Sequence, residues 1–391
     1  MQFEFTEEQR LIEQMVGGFC AAHGTSDAVR RAMDRREGFL TETWQALAGE
    51  LGLAGILVPV DHGGQGLGLV ELAIVSEQMG RALLPSPFLQ SAVLAATLID
   101  RGGTEAQRAA WLPRVATGEV TCAVGVCSRG GAAGVAGVDA RLLADGDRLL
   151  VEGEWDFVLG AHTADLLLLA ARWPDTDGDE GVSVVLLEGD GAGGFPNIER
   201  TDHVMLDQTR PASRLAAAGL EVTAAVLGEP GSASGALQAA MDRACLTIAA
   251  EQTGAATAAL ERTVEYVQER KQFGRTVGSF QAVKHRLADM FVLVEAARSA
   301  VYYAACNAED HPATASDMAS LAKAQGTETL EFCAGNMIQM HGGIAVTWEH
   351  DAHLYFKRAR ASATLFGNLA AHQERLAVAM GLDSESGEVV F

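Results

Sequence analysis

Lysine is scarce in this chain and is missing from its first 270 residues. The 391 residues carry 29 Lys and Arg against 51 Asp and Glu, a formal net charge of −22. A surface of that charge repels nucleic acid and anionic membranes at long range, so we expect neither as a partner. The lysines all lie in the C-terminal third, at Lys271, Lys284, Lys323 and Lys357. An anionic ligand would need a local basic region there.

Cysteine motifs and long apolar runs are missing too. The 6 cysteines form neither a CxxC motif nor a framework spacing, and several lie in apolar helical stretches, where a free thiol behaves as a small apolar side chain. That usage indicates reduced thiols. Apolar runs fall short of the roughly 20 residues that span a bilayer, and the acidic start MQFEFTEEQR differs from a signal peptide. We therefore expect a cytoplasmic protein without a membrane span.

Three segments of different pattern divide the chain. With 48% hydrophobic residues, 391 residues can bury large cores in two or three domains. Helical spacing of apolar residues predicts an N-terminal helical domain over 1–118. Short apolar runs parted by Gly, Asp and Pro predict a middle antiparallel β domain over 119–230. Helical spacing returns over 231–391 and predicts four long helices, the last of them carrying Leu354, Leu365 and Leu376.

Local signals place several helix ends. Thr6, followed by Gln9, predicts the start of the first helix, and Thr41 can cap the next. A glycine-rich loop at 62–66 precedes a helix that we expect to stop at Gly80.

The most informative stretch is RKQFGRTVGSFQAVKHRLADM, residues 270–290. Helical spacing leads into it, and Gly274 and Gly278 then break the helix. Ser279 can cap a new helix, whose apolar positions recur at steps of three and four. The stretch therefore predicts a tight corner between two long helices.

Arg270, Gln272 and Phe273 lie at that corner. A cation, an amide and an aromatic ring on a glycine-loosened turn can hold an anionic group beside a flat ring system. A helical hairpin with a charged corner and no ligand explains the same spacing, so spacing alone leaves both interpretations open.

The motif RKQFG followed by FQAVKHRLADM resembles the signature of the acyl-CoA dehydrogenase family, flavoenzymes that desaturate acyl-CoA thioesters. LGLAGILVPVDHGGQG, residues 51–66, resembles the family's N-terminal helical domain, and the order of helices, strands and helices matches its plan along nearly the whole chain. The resemblance implies an α+β fold with a C-terminal four-helix bundle. It also implies FAD as cofactor, an acyl-CoA substrate, electron-transferring flavoprotein or another electron acceptor, and a homo- or heterotetramer.

In that family the corner residues and a Gln-x-x-Gly-Gly segment contact the ADP half of FAD bound mainly by a neighbouring subunit. Glycines allow close backbone approach to a phosphate or ribose, and Arg supplies a charged donor. A helix end followed by a turn would also explain the paired glycines. The cofactor-binding residues that the resemblance implies are Arg270, Gln272, Phe273, Gln339, Gly342 and Gly343.

The half of the family's site that wraps the flavin ring is altered here. A Thr-Glu-Pro-x-Ala-Gly-Ser-Asp loop is replaced by VCSRGGAAG at 126–134. A Trp-x-Thr segment, whose Thr donates near the flavin N5, reads Phe157-Val158-Leu159, and Leu cannot donate that hydrogen bond. Trp155 would face the same side of a strand as Phe157. It could take over the stacking or belong to the core.

The catalytic base cannot be assigned from the sequence. Where most members carry a Glu in a Tyr-Glu-Gly-Thr run, this chain has Phe366. Others place the base ten residues before a helical Gly; counting back from Gly254 gives Ala244, while Asp242 lies roughly 200° around the helix and should face elsewhere. Acids in helix interiors that we expect to be solvated or ion-paired are Glu251 and Glu261.

His350 and His353 have a spacing that could suit a metal, but a metal site needs further ligands, and ordinary helix-face histidines explain the pair. We therefore predict no metal. The resemblance favours one of the base-lacking subunits of actinobacterial heterotetrameric acyl-CoA dehydrogenases. A self-sufficient homotetramer with an unaligned acid, a flavin-binding monooxygenase on the same fold and a non-catalytic assembly subunit remain open.

Overall fold

A computed structural model describes residues 4–128, 134–190, 194–308 and 310–382. The chain forms two compact units, each assembled from distant parts of the sequence. The first, here called the helical unit, comprises Met1–Val29, Leu69–Leu84 and Cys245–Phe391. The second, here called the sheet unit, comprises Arg30–Gly68 and Pro85–Ala244.

Helices dominate both ends of the chain. In chain order they are α1 (Glu7–His23), α2 (Ser26–Met33), α3 (Thr41–Gly49), α4 (Leu69–Arg81), α5 (Ala96–Gly102), α6 (Glu105–Ala116), α7 (Ser234–Glu269), α8 (Gln281–Asn307), α9 (Ala315–His341), α10 (Ala352–Ser362) and α11 (Leu369–Ala379). A π-helical segment, Leu89–Ala95, leads into α5. Within the described residues, no helix combines the length and apolar character needed to cross a bilayer. The 6 cysteines are free thiols, as their spacing predicted.

Strands occupy the middle of the chain. They are β1 (Cys122–Gly125), β2 (Arg141–Asp145), β3 (Arg148–Leu159), β4 (Leu166–Arg172), β5 (Val182–Glu188), β6 (Ile198–Asp202), β7 (Ala212–Glu221), β8 (Lys271–Gln272) and β9 (Arg275–Thr276). The first 7 form one sheet in the order β1-β4-β2-β3-β7-β6, with β5 also paired to β4. This arrangement of helices, sheet and helices confirms the predicted fold class.

The sheet is mixed rather than purely antiparallel. β1 runs parallel to β4, with Cys122 opposite Leu166, while β3–β7 and β4–β5 are antiparallel. The reason is connectivity: β2 and β3 lie between β1 and β4 in the chain, and a crossover of that length allows parallel pairing where a tight hairpin would not. Trp155 is fully buried in the core of this unit and donates its Nε1 hydrogen to the Ala170 carbonyl at 2.7 Å.

A buried arginine fixes two loops to the sheet. Arg172, the last residue of β4, is 8% exposed. Its guanidinium donates to the carbonyls of Val138 at 3.0 Å and Val135 at 2.8 Å, and to those of Glu180 at 2.6 Å and Gly178 at 3.0 Å. The loops on both sides therefore share one anchor.

In the helical unit, the predicted start of α1 is confirmed, and it has a capping box: the Thr6 hydroxyl accepts from the Gln9 amide, and the Gln9 side chain accepts from the Thr6 amide. The backbones of α4 and α7 approach closely through glycine. A Cβ atom on Gly254 would lie 1.9 Å from the Glu77 carbonyl oxygen, and one on Gly80 would lie 2.1 Å from that of Glu251. Only glycine fits such a crossing.

Two predicted caps and one helix differ from the structure. Thr41 is the first residue of α3 rather than its cap. Ser279 donates its hydroxyl to the Thr276 carbonyl at 2.7 Å instead of capping α8. The last predicted helix is divided into α10 and α11, because Phe366 and Gly367 take positive φ angles of 57° and 114°.

The helical unit also buries a lysine. Lys323 on α9 is fully buried, and its ammonium group donates to the Thr327 hydroxyl at 3.1 Å. Burial lowers the pKa of Lys323 to about 8. Gln252 donates to Ser362 at 3.0 Å and to the Thr327 hydroxyl at 3.2 Å, so the lysine belongs to a buried polar cluster.

Candidate functional site

The predicted corner after α7 is a two-residue β-hairpin. Lys271 pairs with Thr276 and Gln272 with Arg275. Phe273 and Gly274 form the turn, with φ angles of 53° and 77°. A two-residue hairpin whose central residues both have positive φ is a type I′ turn, for which glycine suits the second position. The strained residue is therefore Phe273.

The hairpin presents cations and aromatic rings together. Arg270 and Gln272 are exposed, and Phe273 is 91% exposed. The Arg275 guanidinium lies 3.9 Å from the centre of the Phe280 ring, which also meets Phe273 edge-to-face at 6.2 Å. Such a surface can contact an anionic group and a flat ring at once.

The second predicted segment lies at the end of α9. The helix ends at His341, and Gly342 takes a φ of 67°. Gln339, Gly342 and Gly343 are exposed. A Cβ atom on either glycine would meet nothing within 4 Å, so the backbone faces open space. A ligand can approach the peptide groups directly.

Tyr266 joins the two segments, and sequence reasoning missed it. Its backbone carbonyl accepts from the Arg270 amide at 2.9 Å. Its hydroxyl donates to the His341 carbonyl at 3.3 Å, and the two rings stack at 4.2 Å. The base of the hairpin is thus bound to the residue that precedes Gly342. A tyrosine one helical turn before the Arg was the available signal.

The surroundings of His341 favour its neutral form. Burial, and to a lesser extent the neighbouring His350, lower its pKa. Its Nδ1 lies 2.8 Å from the Met337 carbonyl oxygen, so Nδ1 carries the proton. The His350 ring lies 4.7 Å away. A neutral imidazole is well suited to stacking on Tyr266.

The sheet unit holds the segment that the sequence resemblance assigns to the flavin ring. A bulge interrupts β3 between Trp155 and Val158, and Phe157 takes a φ of 51°. The expectation that Trp155 and Phe157 share a face is wrong, because the bulge breaks the two-residue alternation. Trp155 is a core residue, while Phe157 is 46% exposed. Leu159 is 8% exposed and has no side-chain donor.

The Asp156 carboxylate holds the bulge in place through its hydrogen bonds. Its side chain is 3% exposed. Oδ1 accepts from the Phe157 amide at 2.9 Å and lies 2.5 Å from His203 Nε2. Oδ2 is buried without a hydrogen-bond partner. The His203 ring stacks on Phe157 with a centroid distance of 4.9 Å and an angle of 23°.

Of the glycine-rich segment at 126–134, residues 129–133 lie outside the described residues, while Cys127 lies beside this bulge. The start of the segment is fixed to the sheet, since the Cys127 carbonyl accepts from the Asp156 amide at 3.0 Å. The Ser128 amide donates to Asp139 Oδ1 at 3.0 Å. Burial, Asp139 and Asp156 raise the pKa of the Cys127 thiol, in that order of effect.

The acids considered from the sequence have local partners. Asp242 accepts from the Gln238 side chain at 2.8 Å. Glu261 pairs with Arg81 at 2.6 Å. Glu251 and Arg358 form a buried pair at 3.9 Å. Ala244 is fully buried, and Phe366 occupies the turn between α10 and α11. The ion pairs of Glu251 with Arg358 and of Glu261 with Arg81 confirm the expectation that both acids are paired. No residue is assigned as the catalytic base.

His350 and His353 have structural surroundings. His350 Nδ1 accepts from the Ala352 amide at 3.0 Å, and His353 stacks on Trp348 at 5.0 Å. Across the parts of the chain that the structure describes, no group of three or more His, Cys, Asp or Glu residues could hold a metal ion.

Comparison with known families agrees with the sequence motifs. The acyl-CoA dehydrogenase N-terminal domain matches residues 6–119, and the acyl-CoA dehydrogenase C-terminal domain matches residues 234–381. The chain belongs to the acyl-CoA dehydrogenase family. It is thus a member of an oxidoreductase family, as the motif at 270–290 predicted.

Individual relatives cover nearly the whole chain. Acyl-CoA dehydrogenase IpdE2 of Mycobacterium tuberculosis is 34% identical over 92% of this chain and 93% of its own length. The solved steroid acyl-CoA dehydrogenase Tcur3481–Tcur3483 superposes with a TM-score of 0.85 at 30% identity, covering 97% of this chain and 99% of the other. The ChsE4–ChsE5 complex of Mycobacterium tuberculosis gives 0.86 at 25% identity, covering 98% and 100%.

Proposed function

We propose that this acyl-CoA dehydrogenase family member is a subunit that binds the ADP half of an FAD whose flavin ring lies on a partner chain. The assembled pair desaturates an acyl-CoA thioester between its α and β carbons. The observation that carries this proposal is the contact between the helix end before the hairpin and the end of α9. The Tyr266 hydroxyl donates to the His341 carbonyl at 3.3 Å. Two segments distant in sequence are thereby held together, and Arg270, Gln272 and Gly342 are exposed on them.

The residues of that region fit the ADP half of FAD. Arg270 supplies a charged donor for a phosphate, and Gln272 an amide for a ribose or base. Phe273 offers a flat face. Gly342 and Gly343 leave their backbone open to a ligand, with nothing within 4 Å of an added Cβ. When bound, FAD supplies the acceptor for the hydride that leaves the β carbon.

The residues of the sheet unit fit the flavin ring poorly. Leu159 cannot donate a hydrogen bond, and Phe157 already stacks on His203 at 4.9 Å. Abstraction of the α proton needs a carboxylate close to the substrate, and Phe366 cannot take up a proton. A partner chain that supplies both functions accounts for these differences.

The relatives support a paired assembly and a bulky substrate. One solved neighbour is described as a complex of ChsE4 with ChsE5, and another as the steroid enzyme Tcur3481–Tcur3483. By analogy, we propose a heterotetramer, a polycyclic or branched acyl group, and electron-transferring flavoprotein or a similar acceptor for the electrons.

The visible spectrum of the purified chain tests the proposal. Alone, the chain should be colourless. Coexpressed with its partner, it should yield a yellow complex with about one FAD for two chains, since each site needs both proteins. A yellow chain that carries one FAD by itself and is bleached by an acyl-CoA would contradict the proposal and favour a self-sufficient enzyme.

A further inference from the structure

The bulge of β3 combines two features that folded proteins seldom keep without a use. Phe157 holds a left-handed backbone conformation while its ring is 46% exposed. Directly beside it, Asp156 Oδ2 is buried without a hydrogen-bond donor. Both features persist only if the surrounding structure holds them in place.

The remaining oxygen of the same carboxylate explains how the conformation is held. Asp156 Oδ1 accepts from the Phe157 amide at 2.9 Å, which fixes the strained backbone. It also lies 2.5 Å from His203 Nε2, which fixes the imidazole. His203 reaches this point from the loop between β6 and β7. One buried acid therefore positions both members of the ring pair.

His203 covers a stacking surface of Phe157. The rings are 4.9 Å apart and within 23° of parallel, a geometry typical of a stacked pair. Displacing His203 would leave the buried Asp156 carboxylate with fewer donors, which is costly in a low-dielectric site. A planar ligand that approached Phe157 would have to offset that cost.

The charge of this region also opposes an electron-accepting ring. Asp156 and Asp139 both contact the short segment at Cys127 and Ser128: the Asp156 amide donates to the Cys127 carbonyl at 3.0 Å, and Asp139 Oδ1 accepts from the Ser128 amide at 3.0 Å. Negative charges so placed destabilise a ring that gains negative charge with a hydride. The site favours neutral or cationic groups.

We infer that His203, held by Asp156, closes the face of Phe157 to a flavin ring in this chain. The inference rests on the proposed function, because it explains why the ring of the shared FAD lies on the partner. Asp156 and His203 are then positioning residues that set which chain of the pair carries the flavin ring.

Lumiflavin, the flavin ring without ribityl or ADP, tests the inference on the full-length chain. Quenching of lumiflavin fluorescence should show at least tenfold tighter binding to His203→Ala than to the wild-type chain. Asp156→Asn weakens the hold on His203 without removing the ring and should give an intermediate gain. His285→Ala, at an exposed position on α8, is the matched control and should behave as the wild type.

If the wild-type chain, His203→Ala and Asp156→Asn all bound lumiflavin equally well, or none bound it, the inference would be overturned. His203 would then not control the access of a flavin ring to Phe157. Far-ultraviolet circular dichroism verifies folding, and Asp156→Asn serves if His203→Ala is unfolded. Titration with ADP separates the two proposals. ADP binding that is lost in Arg270→Ala supports the proposed function whatever lumiflavin shows; failure of ADP to bind counts against that function alone.

Discussion

Two exposed phenylalanines share a backbone conformation and little else. Phe273 at the hairpin and Phe157 at the bulge have φ angles of 53° and 51°. Phe273 is 91% exposed and stands among the cations Arg270, Lys271 and Arg275. Phe157 is 46% exposed, lies against His203 and rests on a buried carboxylate. The same strained conformation therefore leaves the Phe273 ring almost fully exposed and holds the Phe157 ring in a stacked pair.

Under the proposed function, this difference means that the chain keeps one half of a cofactor site while the other half has changed. At the hairpin, positive charge and open glycine backbone remain available to an anionic ligand. At the bulge, the structure instead has the buried Asp156 carboxylate and the stack of Phe157 on His203. The proposed division of labour between two chains follows from that contrast.

The largest effect should come from the anchor of the sheet-unit loops. Arg172→Met removes a buried guanidinium that donates to four carbonyl oxygens. We expect the free energy of unfolding to fall by about 4 kcal/mol, because buried acceptors lose charged donors. Urea denaturation measures it. Arg141→Met, on the neighbouring strand but exposed and paired with Glu152 at 3.4 Å, should change stability by less than about 0.5 kcal/mol. Equal losses would contradict the anchor.

Next in size is the effect of the hairpin arginine on the cofactor. Arg270→Ala should weaken FAD retention in the assembled complex by about 10- to 100-fold, the value of a charged hydrogen-bonded contact. Equilibrium dialysis of the complex measures it. Arg270→Lys keeps the charge without the planar fork and should lose less, while Lys284→Ala on α8 should lose nothing. Retention unchanged in Arg270→Ala would remove Arg270 from the site.

The smallest effect distinguishes the two phenylalanines directly. Phe273→Gly removes the cost of holding a phenylalanine in the left-handed backbone conformation at an exposed turn. Glycine also has more backbone freedom to lose on folding, so the free energy of unfolding should rise by less than about 1 kcal/mol. Phe157→Gly relieves similar strain but loses the stack on His203, so stability should fall by about 1 kcal/mol. Urea denaturation of both variants measures these changes. If the free energy of unfolding changed in the same direction in both, the contrast between the two phenylalanines would be contradicted.

Local signals in the sequence were sufficient for several features. Thr6 with Gln9 specified the first cap, and Gly274 specified the break after α7, because both act within one turn of chain. The parallel pairing of β1 with β4 could not be read, since the strand runs are short and carry no sign of direction. Nor could the contact between Phe157 and His203, because one inserted residue in β3 reverses the expected faces.

The site divided in the same way. The six cofactor-binding residues inferred from the motifs stay a prediction, although the structure brings their two segments together. Tyr266 and His341, which join them, are aromatic residues on helices, a pattern that fits an ordinary core equally well. A sequence motif can indicate residues that contact a ligand. The residues that position such a motif, here Tyr266 and His341, are found only from their contacts in the structure.

The distribution of lysine confines amine-directed chemistry on lysine side chains to one part of this chain. Lys271 and Lys284 are exposed, Lys357 is half-buried beside Trp348, and Lys323 is fully buried. An amine-directed cross-linker can therefore react with three lysine side chains of the native protein, all of them in the helical unit. Any linkage that it forms with a second protein would map the neighbourhood of those positions and leave residues 30–244 unmarked.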